Sequence, residues 1–252
     1  MGKNHKSRFW EVDFLRGLAL IMMVLYHLIY NFHYFAQYNI KVYSGFWLYF
    51  ARTTATIFIF LVGVSLTLSF SKAHCKIKNN KELFLIFLKR GLKVFSWGLI
   101  ITIITWFFLR EGFIIFGILH FIGISIILAY LFLKLHFLNL LIGIIFIFIG
   151  QYLKGFSFSF YWLIWLGFKP DNFYTVDYFP LFPWFGVVLI GVFFGNLAYS
   201  NYSRKFQLPD FSDFSLIRLL CFFGRHSLFI YLIHQPLIIL LLYFIGITNI
   251  SL

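Results

Sequence analysis

The chain has 252 residues, 62% hydrophobic and 12% charged, with a formal net charge of +13. Soluble domains are about 45–50% apolar and about 25% charged, so a soluble globule does not fit this composition. The basic residues sit in short segments between apolar runs, which is the pattern of cytoplasmic loops; a nucleic-acid groove needs a soluble basic face, and no nucleic-acid partner is expected.

A bilayer core of roughly 30 Å takes about 20 apolar residues of helix. Seven runs qualify as candidate spans: 14–35, 46–70, 84–109, 113–133, 137–153, 181–200 and 227–247. The expected fold is an all-α integral membrane protein of about seven transmembrane helices, forming a single domain over 1–252. With the N-terminus inside, sixteen Lys and Arg fall on the cytoplasmic side, Lys3, Lys6 and Arg8 among them. Five fall outside: Lys41, Arg52, Arg110, Lys154 and Lys169. That asymmetry predicts a cytoplasmic N-terminus and, with seven spans, an external C-terminus. The first apolar run is too long for a cleaved signal peptide and is expected to stay as the first span.

That first span opens on Arg8-Phe-Trp-Glu11-Val-Asp13-Phe-Leu-Arg16-Gly17 and carries His27 deeper in. Ionisable groups in hydrocarbon are costly and mark function by default. Asp13 and Arg16 stand three apart, a spacing that allows a helical pair, and a held guanidinium suits a phosphate. Glu11 reads as part of an ion-pair cluster fixing the helix entry. Arg16 and His27 differ by about 20° around the helix and about 16 Å along it, so they share a face. Leu20 and Met23 lie between them, and Asn31 flanks the same face. The face is either an apolar lane between a cation and an imidazole, or plain packing with His27 bonded to a neighbouring helix.

Lys89, Arg90 and Lys93 open the third span. Topology alone accounts for them, and an anionic ligand would also use them. In the fourth span, Phe116-Gly117-Ile-Leu-His120-Phe-Ile-Gly123 places His120 near the depth of His27, with glycines that permit close helix approach. A structural and a catalytic histidine are both open here. The segment 154–180 is rich in Trp, Tyr and Phe, as an outer interfacial loop or lid would be. Asp177 ends it, beside Tyr178-Phe-Pro180-Leu-Phe-Pro183-Trp184. This carboxylate either orients a histidine, binds a sugar or amine, or is a solvated loop acid.

Phe214–Phe223 reads as an interfacial helix on the cytoplasmic face. Gly224-Arg225-His226-Ser227-Leu-Phe-Ile-Tyr231-Leu-Ile-His234-Gln235-Pro236 opens the last span. Ser227, Tyr231 and His234 fall near one face, and Pro236 is expected to loosen the helix. This is either a substrate passage or a packing node. Cys75 and Cys221 are expected on the cytoplasmic side as free thiols. No CxxC or Cys/His metal spacing occurs, so no metal is expected. No P-loop, GxGxxG, GxSxG or zincin pattern is present.

In order along the chain stand Arg8-x-x-Glu11-Val-Asp13-x-Leu-Arg16-Gly17-x-Ala19 with His27, Phe58-Ile-Phe60-Leu-Val-Gly63-Val-Ser65-Leu, Phe116-Gly117-Ile-Leu-His120, Asp177-Tyr-Phe-Pro180-Leu-Phe-Pro183-Trp184, and the Gly224–Pro236 segment. This ordered set resembles the transmembrane acyltransferase superfamily, most of all the bacterial branch similar to the catalytic domain of heparan-α-glucosaminide N-acetyltransferase. The resemblance implies transfer of an acyl group, acetyl above all, from cytoplasmic acyl-CoA to a hydroxyl or amine on an outer-side sugar or glycan. It implies residence in a bacterial cytoplasmic (inner) membrane, among lipid.

Residues and resemblance meet on one expectation. The phosphates of CoA rest on Arg16, with Arg90 or Arg225 as second cations and Tyr231 beside the donor. The pantetheine arm runs past Leu20 and Met23. His27 is the general base, His120 and His234 have comparable claims, and Asp177 or His120 orients the base. Asn31, Asp177 and Trp184 face the acceptor. Glycine-bearing helix faces leave a homodimer open. Two other classes remain: a transporter or flippase with a histidine proton relay, and a membrane scaffold subunit.

Overall fold

The computed structural model describes residues 8–36, 38–109 and 111–247. Lys3, Lys6 and Arg110, counted in the charge asymmetry, lie outside them. The described residues form eight α-helices: α1 Trp10–Ala36, α2 Gly45–His74, α3 Asn80–Leu109, α4 Ile118–Phe132, α5 Leu138–Leu153, α6 Leu181–Ala198, α7 Ser215–Arg225 and α8 Ser227–Phe244. A single 3-10 turn, Ile164–Leu166, and a ribbon pairing Tyr199–Ser200 with Ser203–Arg204 complete the elements.

Every apolar run of the sequence becomes a helix. Five of them, α1, α2, α3, α6 and α8, are long and apolar enough to cross a membrane. The chain is an integral membrane protein. The other two, α4 and α5, are shorter apolar helices of 15 and 16 residues. At 1.5 Å per residue, α4 covers only about 22 Å. Its expected start at 113 is corrected to Ile118. Residues 112–117 stay outside the helix, and their backbone groups pair with the segment before α6. The Val176 amide donates to the Gly112 carbonyl at 3.0 Å and the Phe179 amide to the Phe116 carbonyl at 3.1 Å. Helix α1 begins earlier than expected, at Trp10, which puts Glu11 and Asp13 in its first turn. Carboxylates there oppose the positive end of the helix dipole. Helix α8 runs through Pro236 as one element, so the expected loosening leaves the helix continuous.

The chain divides into two compact units: Met1–Phe58 with Leu208–Leu252, and Ile59–Gln207. In the first, α7 and α8 pack on α1. The α1–α7 contact is backbone against backbone. A Cβ on Gly17 would lie 2.0 Å from the Leu220 carbonyl oxygen, and one on Gly224 would lie 1.9 Å from that of Asp13. Glycine is therefore required at both positions. Helix α7 buries Leu220, Cys221 and Gly224 on that contact and exposes Leu216, Leu219 and Phe222.

In the second unit, α3 packs on α4 and α5 on α6. Gly143 and Gly186 face each other across the α5–α6 contact, each leaving no room for a Cβ against the other's carbonyl. Phe87, Phe121 and Phe185 are among the largest fully buried side chains. Close backbone approach and aromatic packing supply cohesion in lipid, where burial from water does not drive helix association.

Candidate functional site

The first unit gathers two groups of polar side chains along α1. At its start, Asp13 is a hub. Its Oδ1 accepts from Arg16 Nη1 at 3.1 Å and its Oδ2 from Arg225 Nε at 3.3 Å. Arg16 also donates to the Gly224 carbonyl at 3.3 Å. The expected i,i+3 pair is present, and α7 adds a second guanidinium that sequence spacing alone did not place there. Asp13 is buried, whereas the Arg225 side chain stays 47% exposed. Two guanidiniums around one carboxylate leave the cluster cationic.

Farther along the same face, the His27 and His234 rings lie 4.9 Å apart by centroid. His234 Nδ1 meets the carbonyl oxygen of Tyr231. A carbonyl only accepts, so Nδ1 carries the proton and the neutral ring leaves Nε2 as a bare acceptor. That Nε2 is buried with no hydrogen-bond partner, and so is Nδ1 of His27. Buried polar atoms are nearly always satisfied, so two orphans on neighbouring helices call for an explanation. The Tyr231 ring lies 5.4 Å from that of His234.

Asn31 is only 1% exposed. Its carboxamide and that of Gln235 bond reciprocally, at 3.2 and 3.4 Å. This pair ties α1 to α8, one turn past His27 on α1 and one residue past His234 on α8. Between Arg16 and His27, Leu20 is 2% exposed while Met23 is half-buried. The middle of the Arg16–His27 face is thus apolar and, at Leu20, packed within the unit.

The second unit holds His120, Asp177, Arg90 and Trp184. His120 sits in the first turn of α4 with both ring nitrogens engaged. Nδ1 accepts from the Gly117 amide at 3.2 Å. Nε2 lies 3.2 Å from Thr102 Oγ1. Thr102 donates its own proton to the Ile114 carbonyl at 2.7 Å, so Nε2–H must be the donor in that contact. One neutral tautomer satisfies the whole arrangement.

Asp177 Oδ2 accepts from the Ile118 amide at 3.0 Å and so caps α4 from another segment. The bond goes to a backbone amide rather than to an imidazole. Gly117 makes room for it, since a Cβ there would lie 2.2 Å from the same oxygen. Burial pushes the Asp177 carboxyl up to about 6, and the Ile118 bond opposes that rise. Burial likewise raises the neighbouring Tyr178 phenol, whose hydroxyl donates to the Ile164 carbonyl at 2.8 Å. Trp184 packs against Phe179 with centroids 5.0 Å apart. Arg90 is exposed and donates to Ser69 Oγ at 3.0 Å.

His27 and His234 thus come together in one unit, while His120 and Asp177 share one helix terminus in the other. Sequence reasoning missed Thr102, whose partner is remote in sequence. It missed Gln235 although the residue stood in a quoted motif. It also missed Tyr26, Tyr30 and Tyr34, whose i,i+4 spacing was a visible signal for one shared face. Among the described residues, no group of three His, Cys, Asp or Glu is placed to hold a metal ion.

Residues 8–236 match the family model described as heparan-alpha-glucosaminide N-acetyltransferase, catalytic. No curated protein and no solved structure matches the chain.

Proposed function

Since the chain belongs to the heparan-alpha-glucosaminide N-acetyltransferase catalytic family and is thereby a membrane acetyltransferase, we propose that it moves an acetyl group from cytoplasmic acetyl-CoA to a sugar amine or hydroxyl on the outer face of a bacterial cytoplasmic membrane. The observation that carries this reading is the His27–His234 pair, with two buried, unpartnered ring nitrogens on neighbouring helices. The reading takes seven spans, the N-terminus inside, as the distribution of Lys and Arg favours.

In the proposed step, the bare imidazole nitrogen takes the proton from the acceptor amine or hydroxyl. The nucleophile attacks the thioester carbonyl, the C–S bond breaks, and the CoA thiolate leaves with the proton returned by the imidazolium. General-base help of this kind contributes about 10²–10⁴-fold. His234 is the better-defined base, because the Tyr231 carbonyl fixes its tautomer. His27 completes the pair. The cationic cluster of Asp13, Arg16 and Arg225 is assigned to the phosphates of CoA, which planar guanidiniums suit. Asn31 and Gln235 hold α1 and α8 together beside the pair.

The role of His120 differs from that of a base. Its two nitrogens fix the start of α4, so it and Asp177 are positioning residues. Arg90, bonded to Ser69, and Trp184, packed on Phe179, are given no part in this step.

His27→Ala tests the assignment in purified protein. Acetyl transfer is expected to fall at least about 100-fold, with CoA affinity retained. Turnover like the wild type would remove His27 from the chemistry. Arg16→Ala is expected to weaken CoA binding instead, and unchanged affinity would remove the phosphate assignment.

A further inference from the structure

The face of α1 that bears Arg16 and His27 does not end at the histidine. Tyr30 and Tyr34 continue it, at about 60° and about 20° from His27 around the helix. Tyr26 stands one turn before Tyr30. The rings form a connected series. Tyr26 lies 5.8 Å from His27 and 6.3 Å from Tyr30. Tyr30 and Tyr34 are nearly parallel, at 6.1 Å and 11°. Tyr43, from the segment before α2, stands edge-on to Tyr30 at 6.1 Å and donates its hydroxyl to that of Tyr30 at 3.2 Å. His33 meets the Tyr43 ring edge-on at 6.0 Å.

Exposure grades along the series. Tyr26 and Tyr30 are half-buried, while Tyr34 is 51% and Tyr43 60% exposed. One end of the ladder is open and the other reaches the ring pair with orphaned nitrogens. Interfacial belt tyrosines need only one apolar side and one wet tip. Here the rings contact one another in sequence, and two of their hydroxyls are linked.

We propose that Tyr26, Tyr30, Tyr34 and Tyr43 form the acceptor-binding strip, and that it takes a pyranose ring against the exposed rings of Tyr34 and Tyr43. An aromatic face carries negative charge density and attracts the positively polarised C–H groups of a sugar face. The phenol hydroxyls supply the few placed polar groups that orient a ligand in such a site. The strip leads the sugar toward the His27–His234 pair, where its amine or hydroxyl reacts. The proposal rests on the acetyltransferase reading for its substrate class and adds the residues that select the acceptor.

The test separates the two. Protein in nanodiscs is titrated with p-nitrophenyl β-glucosaminide, without donor, and contact is read by saturation-transfer NMR on the sugar C–H protons. Acetyl-CoA binding is measured on the same samples. Saturation of the sugar protons in wild type is expected, with affinity reduced at least tenfold in Tyr34→Ala and kept within threefold in Tyr34→Phe. In turnover, Tyr34→Ala raises the acceptor KM and leaves the donor KM unchanged. Tyr43→Ala gives the same pattern from a different segment. Sugar binding that is indifferent to all three substitutions overturns the strip and leaves the acetyltransferase reading standing. No sugar contact, with quenching of the tyrosines by brominated lipid, assigns them to a membrane belt and overturns the strip. Acetyl-CoA binding without transfer to any sugar overturns the acceptor class itself.

Discussion

His27 with His234, and His120 with its neighbours, are two histidine sites built on opposite principles. Each lies in an apolar helix. At His120 every polar atom is answered: Nδ1 by the Gly117 amide, Nε2 by Thr102, and the Thr102 proton by the Ile114 carbonyl. At His27 and His234, one ring nitrogen on each residue is buried and unanswered. A saturated imidazole holds backbone in place. An unsaturated one retains a lone pair for a proton. The difference lies in the partners, which is why hydrogen-bond accounting separates two residues that look alike as letters.

The largest expected effect breaks this contrast from the catalytic side. His234→Ala is expected to lower acetyl transfer by about 10²–10⁴-fold, because it removes the fixed-tautomer acceptor. Its thermal midpoint should fall less than that of His120→Ala, since the bonds lost go to carbonyls of its own helix, those of Tyr231 and Ile230. Steady-state transfer and melting of the same preparation check both halves. The reverse pattern is expected of His120→Ala. Leaving the Gly117 amide and Thr102 unpaired costs about 1–3 kcal/mol, so the variant melts earlier, and its rate per folded molecule falls less than that of His234→Ala.

A third effect probes the cationic cluster. Gly224→Ala forces a Cβ into the Asp13 carbonyl, and overpacking of this kind costs about 1–3 kcal/mol. It should part α1 from α7 and carry Arg225 away from Asp13. Weaker CoA binding together with a lowered midpoint is the expected result. Substitution of the exposed Leu216 by Ala should change neither.

The smallest effect is a pH dependence. The Asp177 carboxyl titrates near 6 in the folded protein, above its ordinary value of 3.8. Between these pH values the folded state binds more protons than the unfolded state. The Asp177 contribution to stability therefore falls as pH rises from about 4 to about 6 and is flat above that window. Asp177→Asn keeps an oxygen to accept from Ile118 and loses the titration. Its unfolding free energy, followed by denaturant titration across this range, should lack the decline seen in the wild type.

The apolar runs made the helices legible, because span length and hydropathy act over many residues at once. Asp13 with Arg16 was legible for the same kind of reason, as a local i,i+3 pair. What failed was non-local. The start of α4 moved to Ile118 because residues far along the chain pair with 112–117. Arg225 on Asp13, Thr102 on His120 and Gln235 on Asn31 each join residues distant in sequence. The tyrosine ladder was local and visible, and went unread because aromatic residues are abundant throughout this chain.

The central claim is that His27 and His234 act as one unit. A double-mutant cycle on single-turnover acetyl transfer, with His27→Ala, His234→Ala and the combined variant, tests it most directly. Residues that act as a unit are strongly non-additive. The combined variant is expected to be no slower than the worse single variant, within about threefold. Losses that multiply, or a single variant that transfers acetyl at the wild-type rate, would contradict the pair.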